Sequence, residues 1–221
     1  NFAVRFASVA GWKARPSARL DQGRNPMKQT VHVLVFDGLA DWEPAHALCE
    51  LRRSGKFDVR SVGFSPRPVI TMAGLKVAPD LSIDELKPQD SALLLLPGGD
   101  MWQEKSQPAV ELLLHRFHEA QVPIAVICAA TLEIARAGLT RGRRHTSNAL
   151  SYLKSMVPDY RDEAFYVDEL AVSDDGVITA SGLGNVEFAR EIFRLLKIYD
   201  ENDLRTWYDM FKRGLMPAGV A

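Results

Sequence analysis

The chain has 221 residues, 47% hydrophobic and 25% charged, with a formal net charge of −1. That length suits one α/β domain or two small ones, and the charge balance leaves no basic footprint for nucleic acid and no acidic tail. No apolar run is long enough to span a bilayer, and two cysteines, Cys49 and Cys128, make no disulfide framework, so a reducing cytoplasm is expected.

Residues 1–26 hold five Lys or Arg and one acid without a periodic pattern. They read as a leader or disordered extension before Met27, an Arg-rich transit peptide being the alternative, and residues 27–221 as a single domain. Residues 31–36, "VHVLVF", are β-branched and apolar and end at Asp37-Gly38, which predicts a buried strand and a turn. In "DWEPAHALCELRRSG" the residues Leu48, Cys49 and Leu51 give part of an apolar stripe, and Gly55 stands where a helix should stop. "FDVRSVGF" reads as a second strand and "VITMAGLKVAPD" as a small hairpin with Ala73-Gly74 near its turn. "SALLLLPGGD" is a further buried strand, residues 108–120 a helix, and "PIAVIC" a strand running straight into another helix. "RRHTSN" is a short strand or loop, and "FYVDELAVSDDGVITASG" gives strands around Asp175-Gly176. Helices follow at 186–198 and in "ENDLRTWYDMFKRG". Strands alternating with helices, with buried runs of four to six apolar residues, predict a parallel sheet covered on both faces.

The turn at Cys128 carries the chemistry. A sharp strand-to-helix turn at the carboxyl edge of a parallel sheet exposes one side chain where open α/β folds bind ligands. It also sets that side chain at a helix N-terminus, where unpaired N–H groups favour an anion and a lowered thiol pKa. Ala129 and Ala130 are small enough for the turn to close. A free cysteine more often simply packs, so Cys128 gains weight as a nucleophile only from other segments. Pro97-Gly98-Gly99 ends a strand at the same edge; a backbone N–H of Gly98 or Gly99, with that of Ala129, would form an oxyanion hole. Glu43 lies a few residues past the first strand, at that edge again, either as an ordinary acid at a helix start or as a partner for Cys128.

Taken together, "VFDGLADWE", "LLLLPGGD", "AVICAATLEIARAGLTRGRRHTSN" and "VITASGLGNVEFAREIF" resemble the ThiJ/PfpI superfamily over most of the chain. The resemblance implies a flavodoxin-like three-layer α/β/α sandwich with a mostly parallel central sheet, usually dimeric. It implies a reactive cysteine at the elbow, here Cys128, hydrogen-bonded by a protonated Glu, here Glu43, whose pKa is raised by repulsion between the two charges. Several features depart from relatives. Ala129 follows the nucleophile where the protease-like branch has His. Asn185-Val186-Glu187 lacks the late His of the glutamine amidotransferases. Glu43 and Ala129 replace the Asp and Thr of the isocyanide hydratases.

Of the five histidines, His115 and His118 have a ligand-like spacing without a third ligand, so no metal is expected. Strand alternation puts His145 and Ser147 on one face and Thr146 and Asn148 on the other. Asn148 is the expected pocket residue, with His145 as the alternative, and Trp42 would line the pocket or a dimer contact. The leading expectation is a cofactor-free, cysteine-dependent enzyme of the glyoxalase III or deglycase type, acting on a small-molecule carbonyl. A non-enzymatic oxidation sensor or holdase and an amidase or peptidase are the alternatives. A homodimer is expected, without nucleic-acid or membrane partners.

Overall fold

The computed structural model describes residues 29–216; the extension read at 1–26, with Met27, lies outside the described residues. The elements run in the order β1 (Gln29–Leu34), α1 (Trp42–Arg53), β2 (Phe57–Gly63), β3 (Val69–Ile70), β4 (Lys76–Val77), β5 (Leu81–Ser82), β6 (Leu93–Leu96), α2 (Met101–Glu104) and α3 (Pro108–Glu119). There follow β7 (Ile124–Ile127), α4 (Thr131–Arg136), α5 (Leu150–Met156), β8 (Ala171–Asp174), β9 (Val177–Ala180), α6 (Asn185–Leu195) and α7 (Glu201–Arg213). Seven strands form one sheet in the order β5-β2-β1-β6-β7-β9-β8, and β3 and β4 pair apart as a hairpin. Every neighbouring pair in the large sheet is parallel except β8 and β9. The mostly parallel α/β architecture expected from the sequence is the observed one.

Side-chain alternation along the central strands explains the three layers. Leu94, Leu96, Ile124 and Val126 point to one face, where they pack with Trp102, Val110, Leu113, Leu114 and Phe117 from α2 and α3. Leu93, Leu95, Ala125 and Ile127 point to the other, against Ala47 and Leu51 of α1, Phe188, Ile192 and Phe193 of α6, and Trp207 of α7. A strand buried on both faces has no polar side to show, and so β6 and β7 read as unbroken apolar runs.

Turns follow local chemistry. The β8–β9 turn uses Asp175 and Gly176 at φ 44° and 77°, the mirror-image turn that matches strand twist. Helix α7 starts at Asp200, whose Oδ1 accepts the N–H groups of Asn202 and Asp203, both at 2.9 Å, and it stops at Gly214 in the left-handed region. Asp200→Ala leaves those two donors without a side-chain acceptor and should lower stability by about 1 kcal/mol, read as a shift in the urea midpoint at unchanged slope.

Two helices are absent from the sequence reading. The short α2 follows the Pro97-Gly98-Gly99 turn, and α5 follows "RRHTSN", which is a loop with one isolated bridge, between His145 and Tyr166. The spacing of Leu150, Leu153 and Val157 is the helical signal for α5; Leu153 and Val157 are buried. No helix among the described residues is long and apolar enough to cross a membrane.

Candidate active site

Three parallel strands deliver their carboxyl ends to one place. After β1 the chain turns into α1 with Glu43 in its first turn, buried to 1% exposure. After β6 comes Gly98, and after β7 comes Cys128. Strand order reverses at β1, which has β2 on one side and β6 on the other, so a crevice opens there.

Cys128 has φ +60°. A non-glycine residue in the left-handed region costs about 1–2 kcal/mol, and the surroundings hold it there. The 3-10 turn Cys128–Ala130 leads into α4, and the Thr131 hydroxyl donates to the Cys128 carbonyl at 2.6 Å. The Ser147 hydroxyl in turn donates to Thr131 Oγ1, also at 2.6 Å, which ties the elbow to the loop carrying Asn148. Behind the elbow, Glu133 is fully buried and paired with Arg136, which also donates to the Trp102 carbonyl at 2.9 Å.

The Glu43 carboxyl meets the Cys128 thiol by a hydrogen bond, and Glu43 Oε2 accepts the Gly98 N–H at 2.5 Å. The pair is walled by two glycines. A Cβ on Gly98 would lie 2.6 Å from both Glu43 Oε2 and Cys128 Cβ, and one on Gly182 would lie 2.8 Å from Cys128 Sγ. Asn148 bridges the far side. Its Nδ2 donates to Cys128 Sγ at 3.5 Å and its Oδ1 accepts the Gly182 N–H at 2.9 Å.

Burial pushes the Glu43 carboxyl up from 4.5 to about 7, while the bonds from Cys128 and Gly98 pull it back. The cause is therefore desolvation first, not the repulsion between charges expected from the resemblance. The Cys128 thiol is pushed up to about 11, by burial and then by the Glu43 charge, against the lowering bonds from Asn148 and the Ala129 N–H. The lowered thiol pKa expected from a helix N-terminus is thereby overturned: the helix start offers the sulfur one N–H, and burial outweighs it. Two negative charges within hydrogen-bond reach disfavour one another. Burial and mutual repulsion thus both oppose charge on the pair, and the arrangement lets Glu43 accept the thiol proton.

The remaining expected residues separate. Asn148 is at the sulfur. His145 is buried elsewhere, with Nδ1 bonded to the Arg143 carbonyl at 2.7 Å and Nε2 to the Tyr160 hydroxyl at 2.6 Å. Trp42 is half exposed beside Glu43, and its carbonyl accepts from Asn185. The Gly98 N–H, expected to serve an oxyanion, is already given to Glu43, and Ala129 gives its N–H to the sulfur; Gly99 lies opposite Leu39 in an antiparallel bridge in which the Ala40 N–H donates to the Gly98 carbonyl at 3.0 Å. Gly182 escaped the sequence reading although, like Gly98, it follows a strand at the carboxyl edge. No cluster of three metal-ligating side chains occurs among the described residues.

The sequence profile of the DJ-1/PfpI family matches residues 29–195. A Bacillus subtilis protein named YoaZ, an uncharacterized protease, is 35% identical over 82% of this chain and 90% of its own length. A protein from Thermococcus kodakarensis named as a deglycase is 26% identical over 76% of this chain and 99% of its own. Among solved structures, a DJ-1 superfamily protein of Agrobacterium tumefaciens superposes with a TM-score of 0.78 at 34% identity, over 85% of this chain and all of that one.

Proposed function

The chain belongs to the DJ-1/PfpI family, and on that premise we propose that it is a cofactor-free enzyme converting a small 2-oxoaldehyde, such as methylglyoxal, to the hydroxy acid. The observation that carries this reading is the Glu43 carboxyl, held near neutral pKa and hydrogen-bonded to the Cys128 thiol. A general acid and base works best with a pKa near the operating pH.

As sulfur attacks the aldehyde carbon, the S–C bond forms, the C=O π pair moves to oxygen, and the thiol proton passes through Glu43 to that oxygen. The Glu43 carboxylate then removes the hydrogen from the attacked carbon and returns a proton to the neighbouring keto carbon by way of an enediol. The attacked carbon ends as a thioester carbonyl and its neighbour as a carbinol. One is oxidised as the other is reduced, so no external electron acceptor enters. Water adds to the thioester, the C–S bond breaks, and thiol and lactate result. The name of the Thermococcus kodakarensis relative is consistent with carbonyl chemistry. A peptidase-type reading lacks a histidine base at the sulfur from its two candidates: His145 is held by Arg143 and Tyr160, and His46 meets Trp207 and Phe211 edge to face. A homodimer belongs to the same proposal, supported by exposed Trp42, Met72, Leu75 and Leu183.

The test is lactate formation from methylglyoxal in buffer free of amines and added thiols, with intact-mass analysis of the protein. Many lactates per chain with Cys128 unmodified are expected. No lactate above the blank, with stoichiometric oxidation of Cys128 by peroxide, would transfer the role to oxidant sensing.

A further inference from the structure

Asn148 is exposed, yet the chain that carries it is fixed at each of the three preceding residues. His145 is bonded to the Arg143 carbonyl and the Tyr160 hydroxyl. The Thr146 N–H donates to Thr179 Oγ1 at 2.9 Å, and its hydroxyl donates to the Glu169 carbonyl at 2.7 Å. Ser147 is bonded to Thr131 at the elbow itself. The Asn148 amide is fixed in turn. The Gly182 N–H can be met only by an acceptor, so Oδ1 takes it at 2.9 Å, and Nδ2 is thereby turned to Cys128 Sγ at 3.5 Å. Of the two side chains bonded to the thiol, Glu43 is buried and Asn148 exposed, so the amide stands on the side open to a ligand.

Reactive cysteines are commonly activated by a neighbouring cation. None is at work here: among the described residues, the groups acting on the sulfur are Glu43, Asn148 and the Ala129 N–H, with no Lys, Arg or His. Negative charge on this sulfur is therefore met by neutral donors, and Asn148 supplies the one that belongs to a side chain. We propose that Asn148 is a catalytic residue, whose amide N–H donates to Cys128 Sγ while the sulfur carries the charge it uses in attack. The thiol proton goes to Glu43, the charge left on Sγ is held by the amide, and a sulfur electron pair then forms the bond to carbon. The role rests on Cys128 being the nucleophile, as in the function proposed above, and not on which carbonyl it attacks.

Two substitutions separate this role from a structural one. Asn148→Ala removes the donor to sulfur and the acceptor for Gly182 together. Asn148→Asp keeps the shape and the acceptor, and replaces the donor by a carboxylate oxygen. The readout is the rate of Cys128 alkylation by iodoacetamide at pH 7, followed by mass on the Cys128 peptide because Cys49 is exposed too. Losing one hydrogen bond to an anion lowers the thiolate share about tenfold. The more basic thiolate that remains is the better nucleophile, which returns about half of that on a logarithmic scale, so Asn148→Ala should react about threefold more slowly. In Asn148→Asp, repulsion between carboxylate and thiolate should slow the reaction about tenfold.

The expected order is wild type, then the alanine variant, then the aspartate variant. A side chain that only held the loop through Gly182 would leave the aspartate variant as fast as wild type. Loosening of the site in the alanine variant would admit water, relieve the burial that opposes the thiolate and speed alkylation, so slowing reports the lost donor. An aspartate variant that matches wild type, or an alanine variant that equals or exceeds it, overturns the assignment. If the expected order is found while wild-type protein makes no lactate from methylglyoxal, the donor stands and the glyoxalase reading falls. If lactate forms but the order fails, the reverse holds.

Discussion

Glu43→Gln should abolish lactate formation and at the same time make the protein more stable at pH 8. Gln keeps the shape of the protonated acid and still offers an oxygen to the Gly98 N–H, which Glu43 Oε2 now accepts at 2.5 Å. It cannot take the thiol proton or shuttle hydrogen between carbons, so a loss of at least about 10²–10⁴ is expected. The stability effect follows from linkage. The carboxyl is raised from 4.5 to about 7 by burial, so its contribution is fully present below pH 4.5 and is lost as pH rises through 7. The interval corresponds to about 3 kcal/mol, or roughly 6–12 °C in melting temperature for a chain of this size. Wild type and variant should therefore melt together near pH 4.5 and diverge progressively to pH 8. Measurements stop there because Cys128, raised from 9.0 to about 11, adds a loss of its own at higher pH. A melting difference that does not change with pH, or wild type the more stable at pH 8, would show that Glu43 is not a desolvated acid. An acid kept where it is costly to ionise is a familiar mark of function winning over stability.

The parts legible in the sequence are those that one strand or one helix determines alone. β6 and β7 announce themselves as apolar runs because both faces are buried, and the β8–β9 hairpin because Asp175-Gly176 suits one turn type. Cys128 and Glu43 stand out by position, each just past a buried strand. Quantities set by packing between distant segments do not show. The thiol pKa is one: helix placement argues down, but burial among Gly98, Gly182 and Glu43 argues up, and only the fold reveals which is larger. His145 is another. Alternation gave it a face, but the Tyr160 hydroxyl, fifteen residues on, fixes its ring away from the sulfur. The loop also breaks the alternation argument, since residues 145–148 form one bridge and no strand. The Gly98 N–H is a third case: it looks like a free donor in the sequence and is taken by a carboxyl from α1.

Gly182→Ala should slow the proposed lactate formation far more than it unsettles the fold, and the contrast with Gly98→Ala locates the cause. A methyl at 182 would sit 2.8 Å from Cys128 Sγ and 3.4 Å from Glu43 Oε1, with Cys128 Cβ at 3.2 Å. The nearest of these is the end of a side chain, in a loop where the glycine is only half-buried. The sulfur can turn away at modest cost, and the thermal midpoint should fall by no more than a few degrees. Turning the sulfur is ruinous for chemistry, because a misplacement near 1 Å can cost about 10² in rate. At 98 the methyl would meet Cys128 Cβ and Glu43 Oε2, both at 2.6 Å, inside the buried core of the site. Backbone must move there, with an overpacking cost of about 1–3 kcal/mol added to the loss of rate. The expected order is therefore equal loss of turnover in the two variants and unequal loss of stability, read by lactate formation and by calorimetry on the same preparations. Gly182→Ala retaining turnover within threefold of wild type would mean that sulfur position is not set by this wall, and the Glu43–Cys128 hydrogen bond would have to hold the nucleophile unaided. Neither glycine has a positive φ, so what the pocket demands at both is empty space beside the reacting pair, not backbone freedom.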